Sequence, residues 1–311
     1  MKYTKQMNQV MVPELKKLFW EDTQQFVQQQ EDLFTQKISK VCNEILRKKT
    51  NIILLTGPSA SGKTTSARKI LTELKRQGKK GGYISLDNFY LDNQHQPHWS
   101  DGSINFESIE SLDVPYFHQK LLELLQTGFC EFPIFDFQLK KRSEKTFSIQ
   151  YNDETFLIFE GIHALNPILC EHFSNTQVTR IYVSTHTDFL NEDKTVLVKA
   201  RNLRLIRRIL RDICHRNSGV EETLNLWHYV LRGEQLYIKP FRNLADVHID
   251  STHAYEPFLY KAQIEPLLQT IKTHEKFSLL IGTLINGEEK FEPLSEKMIP
   301  EDSLIQEFIR K

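Results

Sequence analysis

The sequence predicts an α/β fold in which a parallel sheet carries helices on both of its faces. Three observations predict it. Short runs of consecutive apolar residues recur along the chain: IILL at 52–55, FLIF at 156–159 and IYV at 181–183. A strand covered on both faces reads this way, whereas a strand with one wet face alternates. Segments with helical spacing lie between these runs, and such alternation is the signature of parallel β-α-β units. Finally, the run at 52–55 passes through a glycine-bearing loop straight into a helix-forming stretch. Open sheets place such junctions at their ligand crevice.

The elements follow in chain order. Residues 13–48 carry Leu15, Leu18, Phe19, Phe26, Leu33, Ile38, Val41 and Ile45 at irregular helical spacing. They read as a helical addition, residues 1–49, ahead of the first strand at 51–55. After the glycine loop, 65–77 is rich in helix formers, with Ile70, Leu71 and Leu74 on one stripe. A second strand covers 83–86, after Gly81 and Gly82, and 92–106 is a polar loop. Residues 108–126 read as a helix with Pro115 as its start or a kink. CEFPIFDF and KTFSIQY look extended, ETFLIFEG (154–161) is a buried strand ending in an acid and a glycine, and VTRIYVS (178–184) is one more strand. No internal repeat is present. On a wheel of about 100° per residue, residues 199–216 place Arg201, Arg204, Arg208 and Arg211 on one arc. Leu205, Ile206, Ile209, Leu210 and Ile213 occupy the opposite arc, giving an amphipathic helix with an arginine stripe.

The length of 311 residues suits one large α/β domain with additions, or two small ones. The 40% hydrophobic and 26% charged residues are ordinary for a soluble globular chain. Basic and acidic side chains cancel, so no global charge points to nucleic acid or an anionic membrane as a partner. No apolar run approaches the ~18 residues of a membrane span. The start, MKYTKQMNQVMVPELKK, lacks the apolar core of a signal peptide. Cys42, Cys130, Cys170 and Cys214 show no CxxC and no paired spacing. They read as small buried hydrophobes in a reducing compartment, and the expected location is cytoplasmic.

The loop GPSASGKTT, residues 57–65, fits G-x-x-x-x-G-K-[ST]. Gly57 and Gly62 let the backbone turn its N–H groups inward around phosphates, and the helix N-terminus behind them favours an anion. Lys63 would reach the β- and γ-phosphates, and the Thr64 hydroxyl would serve Mg²⁺. A glycine turn without a ligand is the bland alternative. The strand before the loop and the helix after it decide against that alternative and give a P-loop NTPase fold.

Such a loop serves switches, motors and kinases alike. The DxxG and NKxD patterns of a GTPase and the LSGGQ-like signature of an ABC ATPase are all absent. A kinase needs a group close to the γ-phosphate that takes the acceptor's hydroxyl proton. Asp87, at the end of the second strand in YISLDNFY, supplies one, although Asp often merely caps a turn. Glu160 ends the apolar strand FLIFEG, where a metal-side carboxylate belongs. The arginine stripe reads as a solvated face or as a clamp on transferring phosphate, and the phosphate loop favours the clamp.

Together these stretches resemble the uridine kinase branch of the phosphoribulokinase/uridine kinase family, over about residues 50–275. The resemblance implies ATP binding by Gly57, Pro58, Ser59, Ala60, Ser61, Gly62, Lys63, Thr64 and Thr65. SLDNFY matches the catalytic strand end, with Asp87 as general base and Tyr90 as a substrate-side aromatic. INFESIESLD matches a segment whose acid binds ribose hydroxyls, here Glu107 beside Phe106. FPIFDF followed by Arg142 matches the acceptor-binding segment, FLIFEGIHAL the metal-side strand with Glu160. RLIRRILRD with Arg216 matches a lid helix, which makes Arg208, Arg211 and Arg216 phosphate-facing. The organisation implied is a helical addition over 1–49, a kinase domain over 50–275 with its lid around 200–242, and a tail over 276–311 packing on that domain.

Where uridine–cytidine kinases place Tyr and His around the base, this chain has Phe135 and Lys140, and Leu226 stands for a lid Gln. TLNLWHYVLRGEQLYIKPF and the tail IPEDSLIQEFIRK are closer to a bacterial subfamily of uridine kinase-like nucleoside kinases. The expected activity is ATP- and Mg²⁺-dependent phosphoryl transfer to a small-molecule acceptor, with a nucleoside 5′-hydroxyl first. A sugar phosphate, a pantothenate-like alcohol and a non-catalytic nucleotide-dependent regulator are the alternatives, and homo-oligomerisation is left open.

Overall fold

A computed structural model describes residues 7–173, 178–216, 218–271, 275–288 and 290–309, so the ends of the N-terminal addition and of the tail lie outside it. Along the chain, β1 (Asn8–Met11) leads into α1 (Val12–Glu21) and α2 (Thr23–Lys48). β2 (Ile52–Thr56) and α3 (Lys63–Arg76) flank the glycine loop, and β3 (Lys80–Ser85) follows. α4 (Val114–Thr127) precedes β4 (Phe129–Asp136) and β5 (Lys141–Gln150), then β6 (Thr155–Glu160) and α5 (Pro167–Cys170). β7 (Val178–Ser184), β8 (Thr187–Leu190) and β9 (Val196–Val198) lead to α6 (Ala200–His215) and α7 (Val220–Gly233). β10 (Val247–Asp250), α8 (Glu256–Gln269) and α9 (Ser278–Glu288) complete the described elements.

A five-stranded sheet, all parallel and ordered β10-β7-β2-β6-β3, forms the centre. Every residue of β2 is buried, because the strand feeds two cores. Ile53 and Leu55 join α2, α3 and α8 on one face, while Ile52 and Leu54 join Phe117, Leu121 and Leu124 of α4 on the other. Each such side chain contributes about 1.5–3 kcal/mol when fully buried, which is why the run is unbroken by polar residues. Among the described residues no helix is long and apolar enough to cross a membrane. β4 and β5 pair as a separate antiparallel hairpin.

The N-terminal region refines the sequence reading. The helical reading of 13–48 resolves into two helices, because Asp22 sits in extended backbone and its Oδ1 accepts from the Gln25 N–H at 2.9 Å, capping α2. The region is also not wholly helical. β1 pairs parallel with β8, and β8 pairs antiparallel with β9, in a small second sheet. Phe19 stacks on Phe258 at 4.7 Å, so the addition shares the core of the sheet domain.

α6 also differs from its wheel. Both of its faces are buried, including Leu203, Leu205, Ile206, Ile209 and Leu210, and also Arg204 and Arg207. Arg207 is fully buried and grips Glu256 with two bonds of 2.6 and 2.7 Å. Arg204 pairs with buried Glu234 at 2.9 Å, and Arg201 is exposed. Losing one partner of a buried pair typically costs about 3–5 kcal/mol. Arg204 and Arg207 are therefore structural, and the first turns of the expected lid are core. Arg208 is the first arginine of α6 to line the cleft described below.

Candidate active site

The carboxyl ends of β2, β6 and β3 lie side by side, with Glu160 in register with both Leu55 and Ser85. The glycine loop, Glu160 and the turn carrying Asp87 therefore meet without any long connection. Gly57 is obligatory here, since a Cβ on it would stand 2.0 Å from the Val183 carbonyl oxygen at the end of β7. Gly62 opens α3 with φ +79, a left-handed conformation that glycine adopts freely. Ala60 takes a similar backbone, with φ 58. α6 braces the loop from outside: Arg204 Nε donates to Ser59 O at 3.0 Å, and Arg208 Nη1 donates to Ser59 Oγ at 2.9 Å.

A cleft of about 1460 Å³ opens over this loop. A site for one small molecule spans roughly 300–1,000 Å³, so this one has room for a nucleotide and a second substrate. Ser59, Ala60, Gly62, Lys63, Thr64 and Thr65 line it, with Asp87 and Glu160. Lys63 folds back so that Nζ donates to Pro58 O at 3.3 Å. Glu160 accepts from the Tyr83 hydroxyl at 2.8 Å and from Thr64 Oγ1 at 3.3 Å. Burial pushes its carboxyl well above the usual carboxylate range, with Lys63 opposing the rise and Asp87 adding to it. Asp87 sits in the helical turn Leu86–Phe89 directly after β3.

Beyond Asp87, Tyr90, Phe106, Glu107, Phe135 and Lys140 line the same cleft, as does Leu226. The Tyr90 hydroxyl donates to Phe106 O at 3.0 Å, and its ring lies 5.9 Å from Phe135 and 6.4 Å from Phe137. Glu107 keeps Oε2 buried without a hydrogen-bond partner. Burial raises its carboxyl, against the pull of Arg208, Lys63 and Arg204. Lys140 stands exposed at the tip of the β4–β5 hairpin, with φ 53. Arg142, expected in the acceptor-binding segment, is not among the residues that line the cleft. Its guanidinium is held by Asp113 at 3.0 Å and lies over the Tyr116 ring at 4.4 Å, which turns it towards the start of α4.

Arg208, Arg211 and Arg216 close the cleft from above, and all three reach Asp212, at 3.2, 2.7 and 3.8 Å. Glu107 acts on Arg208 and Asp87 on Arg216, yet the neighbouring Arg211 charge still lowers the Arg216 guanidinium to about 10. An anionic phosphoryl group would relieve that repulsion. Tyr83 and Phe137 carried no sequence signal beyond being aromatic, and their roles come from pairing across the sheet and the hairpin.

A phosphate loop, an adjacent strand-end carboxylate and an arginine cluster over one two-substrate cleft define a P-loop kinase. The model of the Phosphoribulokinase / Uridine kinase family matches residues 52–256, and the chain belongs to that family. Membership makes it a phosphotransferase, with ATP as the family's phosphate donor. Uridine kinase of Bacillus subtilis (strain 168) is 29% identical over 199 residues, covering 64% of this chain and 84% of the relative. Uridine kinase of Macrococcus caseolyticus is 30% identical over 202 residues, covering 65% and 88%. A solved structure from Silicibacter sp. TM1040, provisionally described as a fructose transport system kinase, shares the fold with a TM-score of 0.51. It is 18% identical and covers 68% of this chain and 98% of its own.

Proposed function

We propose that this chain transfers the γ-phosphoryl group of ATP to the 5′-hydroxyl of a nucleoside. One observation supports a nucleoside most: the unpartnered Glu107 carboxylate oxygen and the Tyr90–Phe135–Phe137 ring cluster line the acceptor end together. An acceptor oxygen waiting for donors suits a sugar diol, and ring faces suit a base. Asp87 takes the 5′-hydroxyl proton as that oxygen attacks the γ-phosphorus. The bond to the bridging oxygen breaks, and ADP leaves with the electron pair. Lys63, Arg208 and Arg211 balance charge on the transferring group, and Arg216 extends the clamp. Thr64 and Glu160 offer hard oxygen donors beside the loop and fit Mg²⁺, which when bound would neutralise phosphate charge. A purely regulatory role is disfavoured, because Lys63, Thr64, Asp87 and Glu160 all stand in one cleft.

Phe135 presents only a ring to the base, and Lys140 can donate but not accept. Such a pocket favours a base oxygen over an exocyclic amine. Uridine and inosine are therefore expected to exceed cytidine in kcat/KM, and Lys140→Ala to narrow the gap. Initial rates for the three nucleosides with both proteins check this. Equal use of uridine and cytidine, or a gap untouched by the substitution, removes Lys140 from recognition and leaves it a solvated hairpin residue.

A further inference from the structure

The geometry points to a role for the chain's C-terminal segment that no part of the family match covers: we propose that Glu307 reads the ribose hydroxyls of the donor nucleotide. This rests on the donor-site reading above. The family match ends at residue 256. Fifty residues later the chain returns to the phosphate loop. Leu304, Ile305 and Phe308 are fully buried, and Leu304 fills the space that a Cβ on Gly62 would need, at 2.7 Å. The segment is fixed against the loop by its own packing. Ser303 starts the helical turn Leu304–Glu307, its Oγ accepting from the Ile305 N–H at 3.1 Å. Ser303 in turn donates to Glu31 Oε1 of α2 at 2.6 Å, where Tyr255 also donates at 2.5 Å. Both additions to the family core thus converge on the turn that carries Glu307.

Glu307 lines the cleft, and its Oε2 accepts from the Thr65 hydroxyl at 2.7 Å. Thr65 directly follows Thr64, the last position of the phosphate-loop motif, in the first turn of α3. A carboxylate in that place repels a phosphate, so the group beside it must be neutral and must donate. A carboxylate offers about four acceptor positions, and Thr65 uses one. In a nucleotide the donors nearest the phosphate chain are the ribose hydroxyls. The direction agrees. With the γ-phosphate turned to Asp87, the nucleoside leaves along the face of α3 formed by Thr65, Arg68, Lys69 and Thr72, all of which line the cleft. The tail borders that face, with Lys69 paired to Asp302 at 3.2 Å.

The test is calorimetric binding of ADP, 2′-deoxy-ADP, 3′-deoxy-ADP and inorganic tripolyphosphate to the full chain, which needs no acceptor. Wild type is expected to prefer ADP over at least one deoxy form by about tenfold or more, the scale of a hydrogen bond to a charged group. Glu307→Ala should bring ADP and the deoxy forms to within about twofold, without weakening tripolyphosphate. Glu307→Gln, which preserves side-chain size, should keep part of the preference. Glu307 is only half-buried, so neither variant empties the core. Equal binding of ADP and both deoxy forms by wild type, or a preference that survives Glu307→Ala, overturns the ribose role alone. Absence of any ADP binding overturns it together with the donor-site reading.

Discussion

Lys63→Ala is expected to cut kcat by about 10³–10⁵-fold, the range seen when a cation is withdrawn from a transferring phosphoryl group. Lys63 opens α3, and its Nζ rests on Pro58 O at 3.3 Å, inside the loop it serves. No other described side chain takes that place in the cradle: Arg208 donates to Ser59 Oγ from outside the loop, and Arg208, Arg211 and Arg216 all share Asp212. The lost charge is therefore not replaced. The fold should be untouched, because the side chain lines a cleft and fills no core. Steady-state kinetics beside thermal unfolding separates the two effects. Near-normal kcat would mean that this loop is not the catalytic ATP site, and a collapsed melting temperature would mean a structural lysine.

Asp87→Asn is expected to lower kcat by about 10²–10⁴-fold, the usual reach of general base catalysis. ATP affinity should change little, since Asp87 sits on the turn after β3, towards Tyr90 and the acceptor end. The substitution keeps side-chain size but removes the charge and turns one acceptor oxygen into an N–H donor, so the side chain can no longer take the proton. An unchanged kcat would reduce Asp87 to a turn residue. A large loss of ATP–Mg²⁺ binding would move it to the metal side, with Glu160.

What could be read from the sequence was what local spacing encodes. The motif at 57–65, the strand end at Asp87 and the strand end at Glu160 are each set by a few consecutive residues, and the structure brings them together. β1, β8 and β9 were missed because three or four residues carry no usable period, and their pairing joins positions far apart in sequence. The α6 wheel gave the apolar arc but not the fate of each arginine: Arg204 and Arg207 are buried, Arg207 within the core on Glu256, because a wheel carries no tertiary partners. The family resemblance places Arg142 in the acceptor-binding segment, and its contacts with Asp113 and Tyr116 at the start of α4 join positions that no local spacing connects. Glu307 lies 242 residues from Thr65, and no local signal could have joined them.

We propose that this cleft phosphorylates a nucleoside hydroxyl. ADP release from ATP–Mg²⁺, measured above the acceptor-free background, tests it most directly when nucleosides, sugar phosphates and pantothenate-like alcohols are compared side by side. Release stimulated by a nucleoside is expected, with the nucleoside 5′-monophosphate as product. Stimulation by a sugar phosphate or an alcohol alone, or by no acceptor in the panel, would contradict it.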